Sequence, residues 1–434
     1  FSVETSLSTL FFREETMKKL LIAVLCLMLT GCAAPAPSDG SGPDRSVSPD
    51  IPAPSPAASS APNGESGPPQ ASPETDPETA ENPSASQEPS ESSLGPQNQE
   101  QIIQELLSAM TLEEKVGQMF FVRCPETGGA ELAAQYKVGG YLLFGRDFKD
   151  KTAQQVRDDI QSYQDASGIP LLIGTDEEGG TVVRASSNPD LFPQREPAPQ
   201  TLFAQGGMDL ILQDARQKSM TLLDLGVNVN FAPVADVSTD PADFIYARSF
   251  GQDAQATANY VAQVVGVMGE EQIGSVLKHF PGYGNNVDTH TGIALDQRPY
   301  ETFQTSDFLP FQAGIQAGAD AVLVSHNIAA SMDESLPASL SPTVHKILRE
   351  ELGFDGVVLT DDLAMDAVME YAQNGSAAVL AIQAGNDMVV TTDFQTQIPQ
   401  VIHAVQSGVI AESQIDQAVT RVLNWKYELG LLGN

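Results

Sequence analysis

The chain has 434 residues and a formal net charge of −35, with 57 acidic residues against 22 basic ones. So acidic a polypeptide is a poor partner for nucleic acid or an anionic lipid surface, but its charge says nothing against a neutral ligand such as a sugar. Three cysteines and five histidines are too few for a disulfide scaffold, and no two-histidine metal pattern occurs, so neither a metal nor a cofactor is expected.

In chain order, the first recognisable element begins at Met17. Lys18 and Lys19 precede an apolar run over 20–29, followed by Thr30, Gly31 and Cys32. A basic start and a short apolar run make an export signal, and the run is too short to cross a bilayer as a helix. The ending Leu29-Thr30-Gly31-Cys32 resembles the lipobox of bacterial lipoproteins. That resemblance implies cleavage before Cys32, lipidation of Cys32 and anchoring on the outer side of the cell membrane. An ordinary secretory signal with an incidental cysteine is the plainer alternative. Residues 1–16 lie upstream of this start and are set aside as an extension of the reading frame.

Residues 33–97 are rich in Pro, Ser, Ala, Gly and Glu, and Arg45 is their sole basic residue. Such a segment buries too little apolar surface to offset the entropy of ordering, so a disordered linker is expected. Its flexible span is about 45 Å, enough to hold a domain off a membrane.

Residues 98–434 are read as one folded domain. Short apolar runs recur at 116–124, 138–145, 170–176, 227–237, 274–280, 321–327, 356–362 and 387–392. They have the length and continuity of strands buried on both faces. Between them, 152–167 and 255–272 place apolar residues three and four apart, as amphipathic helices do. Eight strands alternating with helices predict an α/β fold, a single (β/α)₈ TIM-type barrel. An open doubly wound sheet is the competing arrangement; no G-x-G-x-x-G follows the first strand, which weakens its dinucleotide-binding form.

Polar residues gather where a barrel places chemistry. Asp176 and Glu177 end the third predicted strand, Lys278 and His279 the fifth, Ser325-His326-Asn327 the sixth, and Asp361-Asp362 the seventh. Active sites of barrels sit at these C-terminal strand ends. Any one carboxylate here could instead cap a helix; four strand ends finishing in polar, mostly titratable residues are harder to explain that way.

The segments TDEEGGTVVR (175–184), NVNFAPVADV (228–237), ARSFG (247–251), KHFPGYGNNVDTH (278–290), VSHNIAASMDESLPASLSP (324–342) and GFDGVVLTDDLAMDA (353–367) resemble the bacterial β-N-acetylhexosaminidases of glycoside hydrolase family 3. They follow one order and span nearly the whole domain. The resemblance implies a retaining exo-β-N-acetylglucosaminidase acting on cell-wall (peptidoglycan) fragments. It implies Asp361 as nucleophile, an Asp288–His290 pair as acid/base, and Asp176, Arg184, Arg248, Lys278 and His279 as sugar ligands. Asp288 and His290, two apart on an extended loop, point the same way, so the carboxylate can orient the imidazole. Without the resemblance, 278–290 reads as a glycine loop carrying a surface histidine.

The chain departs from the family pattern at Thr181, Tyr283 and Asn285-Asn286. Gly282, Gly284 and their neighbours are expected to let the loop swing. Asp362 is expected to point away from the site and cap the next helix. His326 is read as a pocket or core residue, His345 and His403 as helical residues without a role. Should His290 be only a binding residue, Glu177 is the next acid. The competing functions are a β-glucosidase, a β-xylosidase or a glycoside phosphorylase of the same family, or an inactive lipid-anchored sugar-binding protein. A monomer is expected, with a carbohydrate substrate and a membrane contact through Cys32 as its partners.

Overall fold

The structure, a computed structural model, describes residues 96–286, 294–365, 368, 371 and 376–433. Cys32, Asp288 and His290 lie outside the described residues, as do the signal and all of the linker expected over 33–97 except Pro96 and Gln97, which begin the helix Pro96–Ala109.

Among the described residues ten strands follow in chain order: β1 Phe120–Arg123, β2 Gly140–Leu143, β3 Leu172–Thr175, β4 Val229–Asn230, β5 Gly274–Phe280, β6 Leu295–Asp296, β7 Ala321–Val324, β8 Ile328–Ala329, β9 Val357–Thr360 and β10 Val389–Thr391. Eight form one parallel sheet in the order β10-β1-β2-β3-β4-β5-β7-β9, while β6 and β8 pair separately. Leu359 bridges Met388 in parallel, and Met388 N donates to Val358 O at 3.1 Å. This contact brings the two ends of the sheet together as a barrel. The predicted seventh and eighth strands are therefore β9 and β10.

Alternation along each strand sorts the core into two layers. Phe121, Leu142, Leu172, Val276 and Leu359 face inward and fill the barrel. Phe120, Val122, Tyr141 and Leu143 face outward against the helices. Inside, the ring of Phe121 meets that of Phe231 edge-on, with centroids 5.2 Å apart, the arrangement that opposes positive edge to negative face. The helix Glu412–Glu428 closes the lower mouth with Trp425. A Cβ on Gly274 would lie 3.0 Å from the indole, so the first residue of β5 leaves room only for glycine or a shifted ring.

Both predicted helices form, and each start has a local cause. For Ala153–Ala166, Thr152 and Gln155 make a reciprocal capping box. For Ala254–Glu270, Asp253 accepts from Ala256 N at 2.8 Å. The helix Pro199–Asp224 carries no comparable apolar stripe; it turns at Gly207, where φ is 65°.

Candidate active site

The C-terminal ends of the strands surround a cavity of about 360 Å³, bordered by Arg123, Asp176, Arg184, Arg248, Lys278, His279, Asp361 and Asp362. Its size suits a small ligand. All six described members of the expected set – Asp361, Asp176, Arg184, Arg248, Lys278 and His279 – meet here.

Lys278 is the hub. Its Nζ lies 2.8 Å from Asp176 Oδ1 and 2.6 Å from Glu178 Oε1. Arg184 donates to Asp176 Oδ2 at 3.2 Å. Arg248 grips Glu178 with both arms of its fork, Nε to Oε2 at 3.0 Å and a terminal nitrogen to Oε1 at 2.8 Å. Burial alone would lift the Asp176 carboxyl, but the Lys278 ammonium and the Arg184 guanidinium outweigh it and hold it well below the usual carboxylate range. Against the same burial, Lys278 and Arg248 hold Glu178 down at about 2. Asp176 borders the cavity, ionised and aimed, so it can accept from a hydroxyl without first reorganising; Glu178 lies behind it and holds Lys278 and Arg248 in place.

His279 is locked from two sides. Asp236 Oδ2 lies 2.8 Å from Nδ1 and also takes the His279 backbone N–H at 3.0 Å. Arg248 donates to Nε2 at 3.0 Å. A guanidinium has no acceptor, so Nε2 accepts and Nδ1 donates to Asp236. The Tyr283 ring meets it edge-on at 5.2 Å.

In a regular strand Lys278 and His279 would face opposite ways. The β5–β7 pairing shifts register between Lys278 and Phe280, and this irregularity brings two consecutive side chains to one cavity. Glu178 reaches Lys278 and Arg248 by another route. Gly179 and Gly180 take φ of 96° and 66°, and a Cβ at Gly179 would lie 2.2 Å from Pro197 O. The tight turn after Glu178 thus requires glycine.

Asp361 follows β9, where its N–H donates to Val324 O at 3.0 Å. Its Oδ1 accepts from Asp362 N at 2.8 Å. His326 is buried and donates from Nε2 to Asp362 O at 3.0 Å, supporting the backbone beside Asp361; it belongs to the core, not the cavity wall.

Three expectations need correction. Asp362 does not turn away: it borders the cavity, and its Oδ1 accepts from Ala364 N at 3.0 Å in a turn two residues on. Glu177 is no reserve acid. Fully buried, its Oε2 takes the backbone N–H groups of Arg184 and Ala185 at 2.9 and 2.7 Å, so it organises the loop that carries Arg184. Nor is 281–286 a free hinge. Residues 281–284 are buried, Tyr283 N donates to Asp236 Oδ1 at 2.7 Å, and Asn286 donates to Asp296 Oδ2 at 2.8 Å.

Glu178, Asp236 and Arg123 were not singled out from the sequence. The signal for Glu178 is present: it stands two residues after Asp176, the same spacing from which Asp288 is expected to orient His290. Asp236 closes the apolar run of the fourth predicted strand, as Asp176 and Asp361 close theirs.

Comparison with known proteins gives one answer. The glycosyl hydrolase family 3 N-terminal domain matches residues 111–425. A β-hexosaminidase of Stenotrophomonas maltophilia is 35% identical over 318 residues, covering 70% of this chain and 89% of the relative. A family 3 β-N-acetylglucosaminidase structure from a Paenibacillus species superposes with a TM-score of 0.68 at 30% identity, covering 75% of this chain and 64% of that one. A β-N-acetylhexosaminidase from Beutenbergia cavernae gives 0.64 at 29% identity, covering 72% and 98%.

Proposed function

The chain belongs to glycosyl hydrolase family 3, and from that premise we propose that it is a retaining exo-β-N-acetylglucosaminidase that removes terminal β-linked GlcNAc from peptidoglycan-derived fragments. The observation that carries this reading is the placement of the Asp361 carboxylate on one cavity with Asp176, Arg184, Arg248, Lys278 and His279. A carboxylate facing a pre-paired set of hydroxyl donors and acceptors is the layout for attack on a held sugar ring. The relatives named as β-N-acetylglucosaminidases and β-hexosaminidases support GlcNAc as the glycone.

In the proposed sequence, an Asp361 oxygen attacks the anomeric carbon as the bond to the leaving oxygen breaks. His290 protonates that oxygen, and a covalent glycosyl-enzyme forms. Water then attacks the same carbon, His290 takes its proton, and Asp361 is released with the configuration retained. Asp288 orients His290 and stabilises the imidazolium. Lipidation at Cys32 would hold the enzyme on the outer side of the cell membrane, with 33–97 as its tether.

The test supplies p-nitrophenyl β-GlcNAc and β-glucoside, each with and without phosphate, and identifies the sugar products by NMR. The reading expects free β-GlcNAc as first product from the GlcNAc glycoside. Release of a sugar phosphate would make the enzyme a phosphorylase; cleavage of the glucoside alone would move it to another substrate class.

A further inference from the structure

Each cation assigned so far has its carboxylate: Lys278 and Arg184 meet Asp176, and Arg248 meets Glu178. Arg123 has none. It ends β1, is half-buried, and borders the same cavity as Asp361. Its guanidinium carbon lies 4.2 Å from the centroid of the Phe144 ring, and its Nε is buried without a hydrogen-bond partner among the described residues. In so acidic a chain, a cavity arginine held by an aromatic face and given no carboxylate among the described residues is one whose donors are kept for something else.

The barrel says where that something lies. β1 stands between β10 and β2, so Arg123 occupies the wall between the nucleophile's side, at β9, and the Asp176 side, at β3. The expected sugar ligands leave this sector empty. Arg184 reaches toward it, its guanidinium carbon 5.1 Å from the same Phe144 ring. A formally anionic ligand there would meet Asp361 and Asp362 on one flank and Asp176 on the other. A neutral oxygen meets no such repulsion, and the arginine fork gives it two donors.

We infer that Arg123 is a further substrate-binding residue, donating to a hydroxyl on C3, C4 or C6 of the bound glycosyl unit. The inference rests on the glycosidase reading but not on GlcNAc as the sugar. Phe144 is its platform: stacking fixes the guanidinium plane, so the donors are already aimed when the sugar arrives.

The test is a double-mutant cycle between protein and substrate. Arg123→Met keeps the aliphatic stem over Phe144 and removes every donor. Its kcat/KM on an aryl β-glycoside should fall about 10- to 100-fold, the effect of losing a hydrogen bond from a charged donor, with the melting curve unchanged. Glycosides deoxygenated at C3, C4 or C6 then locate the contact. For one of them the wild type should lose what the variant loses, and the variant should lose little more. Should Arg123→Met melt early, Arg123→Lys is measured instead and is expected to show a smaller loss confined to the same deoxy position. A kcat/KM within twofold of wild type, or equal further losses at all three positions, overturns the inference. The series is run on whichever glycoside the wild type cleaves. Activity on β-glucoside alone would end the GlcNAc reading and leave the Arg123 test intact.

Discussion

Asp236 fixes both the position and the tautomer of His279. One carboxylate oxygen takes the His279 backbone N–H at 3.0 Å and Nδ1 at 2.8 Å, while the other takes Tyr283 N at 2.7 Å. Three donors therefore converge on one anion. Asp236→Asn puts an amide N–H among them, where it faces donors whichever way it is turned. The imidazole must then flip tautomer or rotate, and its contact with Arg248 is lost. We expect kcat/KM to drop about 10- to 100-fold, the worth of a hydrogen bond to a charged group, with the fold kept. Unchanged kinetics in Asp236→Asn would mean that the His279 tautomer is irrelevant to sugar binding.

The acid-side stability profile should report on Glu178. Its pKa lies at about 2, below its ordinary 4.5. A lowered carboxyl contributes stability that is present above the unfolded pKa and is lost as pH falls through the folded one. The window is thus about pH 4.5 down to 2, with on the order of 3 kcal/mol at stake. Asp176 is shifted the same way and deepens the slope. Urea unfolding followed at several pH values between 7 and 2.5 should show this loss in the wild type. Glu178→Gln should be less stable at pH 7 by about 3–5 kcal/mol, because Arg248 is left buried without its anion, and its profile should be flatter. Parallel profiles would assign the acid sensitivity to other groups.

How much of this was legible in the sequence follows from geometry. The eight barrel strands could be read because strands buried on both faces are continuous apolar runs, and 116–124 through 387–392 are such runs. Strand ends then pointed to Asp176, Lys278, His279 and Asp361, and the family resemblance added Arg184 and Arg248. Glu178 and Asp236 lie in the family-like segments 175–184 and 228–237, and the two-residue spacing is enough to place Glu178 beside Asp176. What no local pattern encodes is the register shift at Lys278–Phe280, which turns two consecutive residues to one side. The same holds for Glu177, whose partners Arg184 and Ala185 come from a turn seven and eight residues on.

Anchoring is tested at Cys32, outside the described residues. Each buried methylene of an acyl chain contributes about 0.8 kcal/mol, so several chains on one cysteine suffice for stable attachment. Cys32→Ser should move the protein from the membrane fraction to the soluble one with activity on a soluble substrate unchanged. A Cys32→Ser protein that stays with the membrane would end the lipoprotein reading.

The acid/base proposal predicts an asymmetry between substrates. A sugar hydroxyl is a poor leaving group and needs its proton; a nitrophenolate needs little help. His290→Ala should therefore cost far more on a GlcNAc–MurNAc disaccharide than on p-nitrophenyl β-GlcNAc. Asp288→Ala should show the same pattern more weakly. Equal losses on both substrates would make His290 a binding residue, and Glu177, enclosed by its own loop, could not replace it.

The account rests most heavily on Asp361 as the nucleophile. Asp362 borders the same cavity, so the two carboxylates must be told apart chemically. The direct measurement is to trap the glycosyl-enzyme with a 5-fluoro-GlcNAc glycosyl fluoride, digest it and locate the sugar by mass spectrometry. The account predicts one glycosyl unit per chain, attached to Asp361 and absent from Asp361→Ala. A sugar found on Asp362, or a trapped enzyme in which Asp361→Ala still takes up the label, would contradict it.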